Sequence, residues 1–247
     1  MGNKRIITAF IISVATLAAA AAVIASLFYF GVFHINDPSR EKYPVRGVDV
    51  SRYQGEIDWK TLSGEDISFA FIKATEGSSH VDPKFEYNWA EAGKTDLRIG
   101  AYHFFSFETS GDDQADNFIS TVEPREGMLP PVVDVEFYGK FSKVNTNVDA
   151  AAAKLRVLVD RLTERYGMKP ILYVSDETLA TIVGSDFEDC DIWYRSVYGA
   201  ADEDVSWTFW QFSNRFRLSG YDGEEKYIDM NVFCGTAEEF ASYPEGR

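Results

Sequence analysis

Four carboxyl side chains lie inside short apolar runs that are typical of buried β-strands. Asp49 lies in the run GVDVS and Asp229 in the run YIDMNV. Asp134 and Glu136 lie two residues apart in PVVDVEF and share one strand face, because side chains alternate along a strand. An ionised carboxylate that is buried without a partner costs several kcal/mol, so these positions are candidates for chemistry. The structural alternative is that such a carboxyl faces solvent on an edge strand. This alternative explains a single carboxyl better than it explains the valine-flanked pair Asp134 and Glu136.

The other reactive side chains form no catalytic or metal-binding motif in the sequence. His34, His80 and His103 are far apart and match no metal-ligand spacing. Cys190 and Cys234 have no base-like motif beside them, and the two are predicted either to form a disulfide in an oxidising exterior or to be two buried free thiols. There is no G-x-S-x-G elbow and no glycine-rich phosphate loop. Clustered carboxyls alone suit either a divalent metal or glycoside hydrolysis, where one protonated carboxyl donates to the leaving oxygen.

Aromatic side chains near the same strand ends favour a sugar substrate over a metal ion. Sugar rings have apolar faces that stack on aromatic rings. Each aromatic residue taken singly is better explained by core packing, so the sugar interpretation depends on the set. The set comprises Tyr53, Tyr102, Phe104, Tyr173, Trp193 and Trp210. We therefore predict glycoside hydrolysis without a metal or a cofactor, and we keep a carboxylate-metal hydrolase as the weaker alternative.

Eight short runs rich in β-branched and aromatic residues predict the strands that position these groups. They cover residues 46–51, 68–74, 98–105, 131–137, 170–175, 190–195, 207–212 and 227–233. Helical patterns cover residues 82–93, 110–122, 147–166 and 176–183, whereas the connections after the sixth and seventh strands look irregular. Alternating strands and helices predict an α/β fold, an irregular eight-stranded β/α barrel whose chemistry lies at the C-terminal ends of the strands.

The N-terminus has the composition of a membrane segment. Lys4 and Arg5 precede 28 uncharged residues, 6–33, which exceed the roughly 20 that a spanning helix needs. A cleaved signal peptide usually has a shorter apolar core, so residues 1–34 are predicted to be an uncleaved signal-anchor, and the protein is secreted if the segment is cleaved. The basic pair places the N-terminus in the cytoplasm and the remainder outside. Residues 35–45 are predicted to be a linker, and residues 46–243 a single catalytic domain.

The net charge excludes one class of partner. The chain has 24 basic and 39 acidic residues and a formal charge of −15. Lys4 and Arg5 are the only charged residues before residue 37, so residues 37–247 carry 22 basic and 39 acidic residues, a charge of −17. Nucleic-acid phosphates would be repelled by this domain. We expect a monomer.

The order and spacing of the motifs resemble those of the glycoside hydrolase family 25 lysozymes, the Chalaropsis-type N-acetylmuramidases. The resemblance extends from residue 46 to about residue 240 and rests on GVDVS, FAFIKATEG, GAYHF, DVE, WQF and DMN. It implies a barrel of five β/α units followed by three further strands. It also implies cleavage of the β-1,4 bond between N-acetylmuramic acid and N-acetylglucosamine in the glycan strands of peptidoglycan.

The resemblance also implies roles for individual residues. Glu136 takes the general-acid role, and Asp134 either orients the substrate's N-acetyl group or stabilises an oxocarbenium-like transition state. Asp49 and Asp229 hold the charge of the site and help to keep Glu136 protonated. Substrate contacts fall on Tyr102, Phe104, Tyr173, Trp193, Trp210 and Glu76.

One position departs from the family pattern. Arg195 follows Trp193 at a place where many members carry a small residue, which affects the substrate decorations that are tolerated. A non-catalytic glycan-binding module on the same barrel is the alternative function, since a fold does not fix an activity. The presence of both Glu136 and Asp134 favours the enzyme.

Overall fold

The computed structural model describes residues 2–29 and 36–245, in two compact units. The first unit is helix α1, Gly2–Tyr29. Its section Lys4–Leu27 is long and apolar enough to cross a membrane, a test that a signal sequence also passes. Residues 1 and 30–34 of the predicted anchor, and residue 35 of the predicted linker, lie outside the described residues. The second unit begins at Asn36 and contains every strand described below.

Eight strands close into a barrel, as the sequence predicted. The strands of the sheet are β1 Arg46–Val50, β2 Phe69–Glu76, β3 His80–Val81, β4 Arg98–Phe104, β5 Val132–Val135, β6 Ile171–Val174, β7 Ile192–Arg195, β8 Phe209–Phe216 and β9 Ile228–Phe233. The barrel order is β1-β2-β4-β5-β6-β7-β8-β9, and β9 returns to pair with β1. Strands β1 to β8 of this circle are parallel, whereas β9 is antiparallel to both of its neighbours. The short β3, which pairs only with the end of β2, and the reversed β9 were not predicted.

The helices follow the early strands and become irregular later in the chain. They are α2 Trp59–Leu62, α3 Phe85–Ala92, α4 Gly111–Thr121, α5 Val148–Tyr166, α6 Asp176–Thr178 and α7 Ala237–Ser242. The side chains of Ser110 and Asn147 cap α4 and α5, and Gly167 ends α5 in a left-handed conformation. Helix α6 continues as a π turn, Leu179–Val183, and a 3₁₀ turn, Gly184–Phe187. Residues 196–208 and 217–227 contain no helix, in agreement with the sequence.

Strand alternation produces two separate apolar cores. The outer core lies between the barrel and its helices, where Leu155, Leu158 and Leu162 of α5 are fully buried. The inner core fills the barrel, and Phe71 and Trp193 lie there with ring centroids 4.6 Å apart. Apolar side chains therefore fill the barrel interior, and the polar residues lie at one mouth of the barrel.

Two glycines make room for the aromatic rings of the inner core. A Cβ atom at Gly47 would lie 2.4 Å from the Phe69 ring, and one at Gly100 would lie 2.7 Å from the Phe71 ring. Real Cβ contacts are never this short, so only glycine fits at these places. Phe240 of α7 and the adjacent Tyr243 pack beneath the same aromatic cluster, at the end opposite the carboxyl groups.

The polar residues before β1 lie against the barrel. The Asn36 side-chain amide donates to the carbonyl oxygens of Ser196, Gly199 and Phe212 at 3.1, 2.6 and 3.2 Å. The Tyr43 ring contacts Trp207, with centroids 5.6 Å apart. The predicted linker thus fastens the loop that follows β7.

The cysteines form no disulfide with each other, and only one of them is buried. Cys190 is buried and Cys234 is exposed, so the expectation of either a bridge or two buried thiols was wrong. Cys190 directly precedes Asp191 and β7, whereas Cys234 directly follows β9, at the strand end.

Candidate active site

The four carboxyl groups meet at one mouth of the barrel. Asp49 on β1, Asp134 on β5, Glu136 directly after β5 and Asp229 on β9 line a cavity of about 130 Å³. Asp229 is the second residue of its strand, yet it reaches the mouth formed by the parallel strands' C-terminal ends because β9 runs in the opposite direction. Asp49 and Asp229 are direct partners across the β1–β9 pairing.

A second cavity extends the site along the barrel mouth. It has a volume of about 330 Å³ and shares Asp49, Tyr102 and Asp229 with the first. Its far side is formed by Tyr53 and Tyr227, among other residues. The shared lining makes the two cavities one groove that is open to solvent.

A hydrogen-bond network supports Asp49 and Asp229. The Gln211 amide donates to Oδ2 of both carboxylates, at 3.0 and 2.9 Å, and Asn231 donates to Asp49 Oδ2 at 2.8 Å. The two amides are themselves oriented, because Tyr173 Oη donates to Gln211 Oε1 at 2.9 Å and Trp193 Nε1 donates to Asn231 Oδ1 at 2.8 Å. This network holds two neighbouring carboxyl groups in fixed positions.

Asp134 and Glu136 lack such support. Asp134 Oδ1 is buried and has no hydrogen-bond partner among the described residues. The Glu136 side chain is one-third exposed, and its ion-pair partner is Arg195, with Nε 3.7 Å from Oε1. These two carboxyl groups are thus the ones left available to a ligand.

Burial raises the pKa of all four carboxyl groups. The pKa of Asp49 rises to about 6, against the opposing effect of the Asn231 and Gln211 hydrogen bonds. Burial holds the pKa values of Asp134 and Asp229 well above the ordinary range, and neighbouring carboxylates add to the effect. The pKa of Glu136 is also raised by burial, although Arg195 opposes the shift. The cluster therefore retains protons at mildly acidic pH.

The structure brings only some of the predicted substrate-binding residues to the groove. Tyr102, Tyr173 and Trp193 line the cavity beside the carboxyl groups. Phe104 and Glu76 lie at the neighbouring strand ends and do not line either cavity; both contact Lys73, which stands 4.9 Å from the Phe104 ring centroid and 2.7 Å from Glu76 Oε2.

Trp210 lies on the other side of the sheet. Its Nε1 donates to the carbonyl oxygen of Ser196 at 3.0 Å, and its ring packs against Tyr43 and Trp207. Because side chains alternate, the residue of this motif that points into the site is the adjacent Gln211. The Trp210 side chain therefore faces away from the groove in which its predicted substrate contact would lie.

Several residues of the site were not assigned from the sequence. Gln211 and Asn231 lie in the WQF and DMN motifs, but neither was given a role. Strand alternation could have identified Asn231, because it lies two residues after Asp229 and therefore shares its strand face. Tyr53 was noted only as an aromatic near a strand end, yet it lines the groove.

His103 lies in the interior and is hydrogen-bonded through both ring nitrogens. It is fully buried, with Nδ1 2.7 Å from Thr75 Oγ1 and Nε2 3.1 Å from Gln114 Oε1. Burial lowers its pKa to about 4, so the ring is neutral in the folded protein at physiological pH.

The barrel and the mouth together define a class of protein. An eight-stranded β/α barrel with four clustered carboxyl groups and aromatic walls at its C-terminal mouth is the architecture of a glycoside hydrolase. The chain belongs to the glycosyl hydrolases of family 25, whose family model matches residues 48–221. It is an enzyme, and the resemblance seen in the sequence is confirmed.

Known relatives cover most of the chain. A solved family 25 glycosyl hydrolase from Bacillus anthracis is 46% identical and superposes with a TM-score of 0.79, over 84% of this chain and 97% of that one. Lysozyme M1 of Streptomyces globisporus is 30% identical over 208 residues, 78% of this chain and 69% of that protein. A YegX protein of Escherichia coli O6:H1 is 37% identical over 215 residues, 83% of this chain and 75% of that protein.

Proposed function

We propose that this protein is an N-acetylmuramidase that cleaves the β-1,4 bond between N-acetylmuramic acid and N-acetylglucosamine in peptidoglycan. The observation that carries the proposal is the pair of carboxyl groups at the C-terminal end of β5, one accessible and one buried without a partner, beside a groove with aromatic walls. Relatives that are described as lysozymes support the same substrate.

Glu136 is the general acid of this proposal. Its pKa is raised by burial, so a fraction of Glu136 holds a proton at mildly acidic pH, and its side chain is exposed enough to reach a glycosidic oxygen. Protonation of that oxygen lets its bond to the anomeric carbon break as positive charge develops on the sugar ring, and water then adds to that carbon and loses a proton to give the new reducing end. Activity is expected to fall as pH rises through the pKa of Glu136.

Asp134 is the partner of that step. Its buried Oδ1 accepts no hydrogen bond within the described residues, which suits an oxygen that awaits a donor from the substrate. The N–H of the muramic acid N-acetyl group is such a donor; alternatively, the ionised carboxylate stabilises the positive ring directly. Burial raises the pKa of Asp134, and Lys73 opposes that shift, so Lys73 favours the ionised form that the second role needs.

Asp49 and Asp229 set the charge around the acid. The Gln211 amide fixes both, and Asp49 raises the pKa of Asp229 and of Asp134. Tyr102, Tyr173 and Trp193 form the wall on which a sugar ring packs. No step in this scheme uses a metal or a cofactor.

The proposal includes the location of the enzyme. Helix α1 serves as a signal-anchor, with Lys4 and Arg5 in the cytoplasm and the barrel outside, where peptidoglycan lies. We retain the monomer as a prediction.

Muropeptide analysis by mass spectrometry tests the reaction. The full-length protein, purified in detergent, is incubated with intact peptidoglycan beside a Glu136→Gln variant and an exposed control, Glu126→Gln. We expect products that end in reducing N-acetylmuramic acid from the native protein and from Glu126→Gln, and a loss of at least about 100-fold with Glu136→Gln. Reducing-end N-acetylglucosamine would overturn the assigned bond, and full activity of Glu136→Gln would overturn the assigned acid.

A further inference from the structure

Arg195 places a guanidinium beside the proposed general acid. It is the last residue of β7, two residues after the cavity-lining Trp193, so it shares that residue's inward-facing side of the strand. It is also the strand partner of Gln211, which holds Asp49 and Asp229. Its side chain is about one-third exposed and lies beside Glu136, which lines the cavity.

The hydrogen-bonding capacity of Arg195 is unused. A guanidinium has five N–H donors, yet the side chain of Arg195 makes no hydrogen bond within the described residues, and its ion pair with Glu136 spans 3.7 Å. The other cations at this mouth are engaged. Lys73 donates to Glu76 at 2.7 Å, and Arg215 lies over the Tyr227 ring, 4.5 Å from its centroid.

A half-buried guanidinium without hydrogen bonds is suited to an anion that arrives with the substrate. The planar fork of N–H groups matches the two oxygens of a carboxylate, and a bidentate pair of this kind is stronger than a neutral hydrogen bond. The domain as a whole carries a charge of −17 and gives an acidic substrate no general attraction. Of Lys73, Arg195 and Arg215, only Arg195 has a side chain without a hydrogen bond within the described residues, so its attraction for an anion acts at one position.

We propose that Arg195 binds a carboxylate of the substrate strand and so selects acidic glycans over neutral ones. The inference rests on the proposed function, because it places the acidic group within reach of the bond that Glu136 protonates. Muramic acid supplies such a carboxylate in two ways. Its lactyl ether ends in a free carboxylate when the stem peptide is absent, and the stem peptide has carboxylates of its own when it is present.

The test compares substrate charge with side-chain charge. Peptidoglycan is used untreated and after its carboxylates have been converted to neutral methylamides, with Arg195→Gln, Arg195→Lys and the distant control Arg165→Gln in the full-length protein. We expect Arg195→Gln to lose about 10- to 100-fold in kcat/KM on untreated strands and less than about 3-fold on amidated strands, from the loss of charge-assisted hydrogen bonds. Arg195→Lys keeps the charge and retains most of the preference, and Arg165→Gln changes neither rate.

Two results would overturn the proposal. An equal loss on untreated and amidated strands would mean that Arg195 acts on Glu136, and the alkaline limb of the pH profile would then move upward in Arg195→Gln. Unchanged rates on untreated, amidated and peptide-free strands alike would mean that the guanidinium has no part in binding. The identity of the sugar at the reducing end of the wild-type products is read in the same assays, so a failure of the muramidase assignment is recognised separately.

The source of the carboxylate is resolved by a further comparison. Strands whose stem peptides have been removed by an amidase expose lactyl carboxylates, whereas untreated strands carry only those of the peptides. A loss confined to peptide-free strands assigns the lactyl group, and one confined to peptide-bearing strands assigns the peptide. A loss on both shows that Arg195 accepts either carboxylate.

Discussion

At the scale of the residue, the buried carboxyl groups of the site lower the stability of the fold at neutral pH. Burial gives Asp49 a pKa of about 6 in place of 3.8, so the folded state binds its proton more tightly than the unfolded chain does. Stability from such a group is complete below about pH 4 and is lost as pH rises through about 6. The carboxyl cluster is thus retained at neutral pH against a thermodynamic cost, which is what a catalytic arrangement requires.

Asp49→Asn tests this relation. The variant lacks the titration and keeps an oxygen that accepts from Gln211 and Asn231, so its stability relative to the native protein should rise with pH. The shift from 3.8 to about 6 corresponds to roughly 3 kcal/mol in all, of which about 2.5 kcal/mol falls between pH 4 and pH 8. Urea unfolding at pH 4, 6 and 8 measures the difference, with the exposed Asp96→Asn as control. A difference that is constant across this pH range would contradict the pKa of Asp49.

The sequence indicated the carboxyl groups of the site, but it did not indicate the amide side chains that hydrogen-bond to them. Asp134 and Glu136 were found because a charged pair in an apolar strand has few structural explanations. Gln211 was not assigned, because a neutral amide in a strand is unremarkable until its two carboxylate partners are known. Trp210 was expected at the groove because it is aromatic, but a displacement of one residue along a strand reverses the face.

At the scale of the element, local signals were reliable and long-range pairing was not visible. Helix α5 was predicted to within one residue because its cap, its leucine spacing and its terminal glycine are all local. The direction of β9 depends on its partners β1 and β8, which precede it by 178 and 12 residues at their closest ends. No short-range pattern encodes that choice, and the reversal is what brings Asp229 to the mouth.

The residues before β1 hold the loop that follows β7 through the side chain of Asn36. Asn36→Ala removes the donor shared by the carbonyl oxygens of Ser196, Gly199 and Phe212, in the loop that follows Arg195 and in β8. We expect a loss of about 1–3 kcal/mol in stability and faster amide exchange over residues 196–200. Thermal unfolding and hydrogen exchange measure the two effects, with the exposed Asn145→Ala as control. Unchanged exchange in this loop would show that Asn36 does not fasten it.

At the scale of the whole molecule, the chain joins an apolar helix to a strongly acidic barrel. The apolar helix α1, which is uncharged after Arg5, favours a lipid environment. The domain, with a charge of −17, favours water. An acidic domain gains no attraction to acidic wall polymers at long range. Membrane attachment would keep the enzyme near its substrate without that attraction.

Fractionation of cells that express the full chain tests the attachment. We expect the protein to stay in the membrane fraction through high-salt and carbonate washes, and protease added to spheroplasts to digest the barrel. Leu17→Arg places a charge in the middle of α1, at a cost of about 2.5–3.5 kcal/mol for insertion, and should move protein out of the membrane fraction, whereas Leu17→Ile should not. Intact mass of the recovered protein decides between anchor and signal peptide. A mass lacking the first 20 or so residues would show cleavage, and the enzyme would then act as a secreted protein.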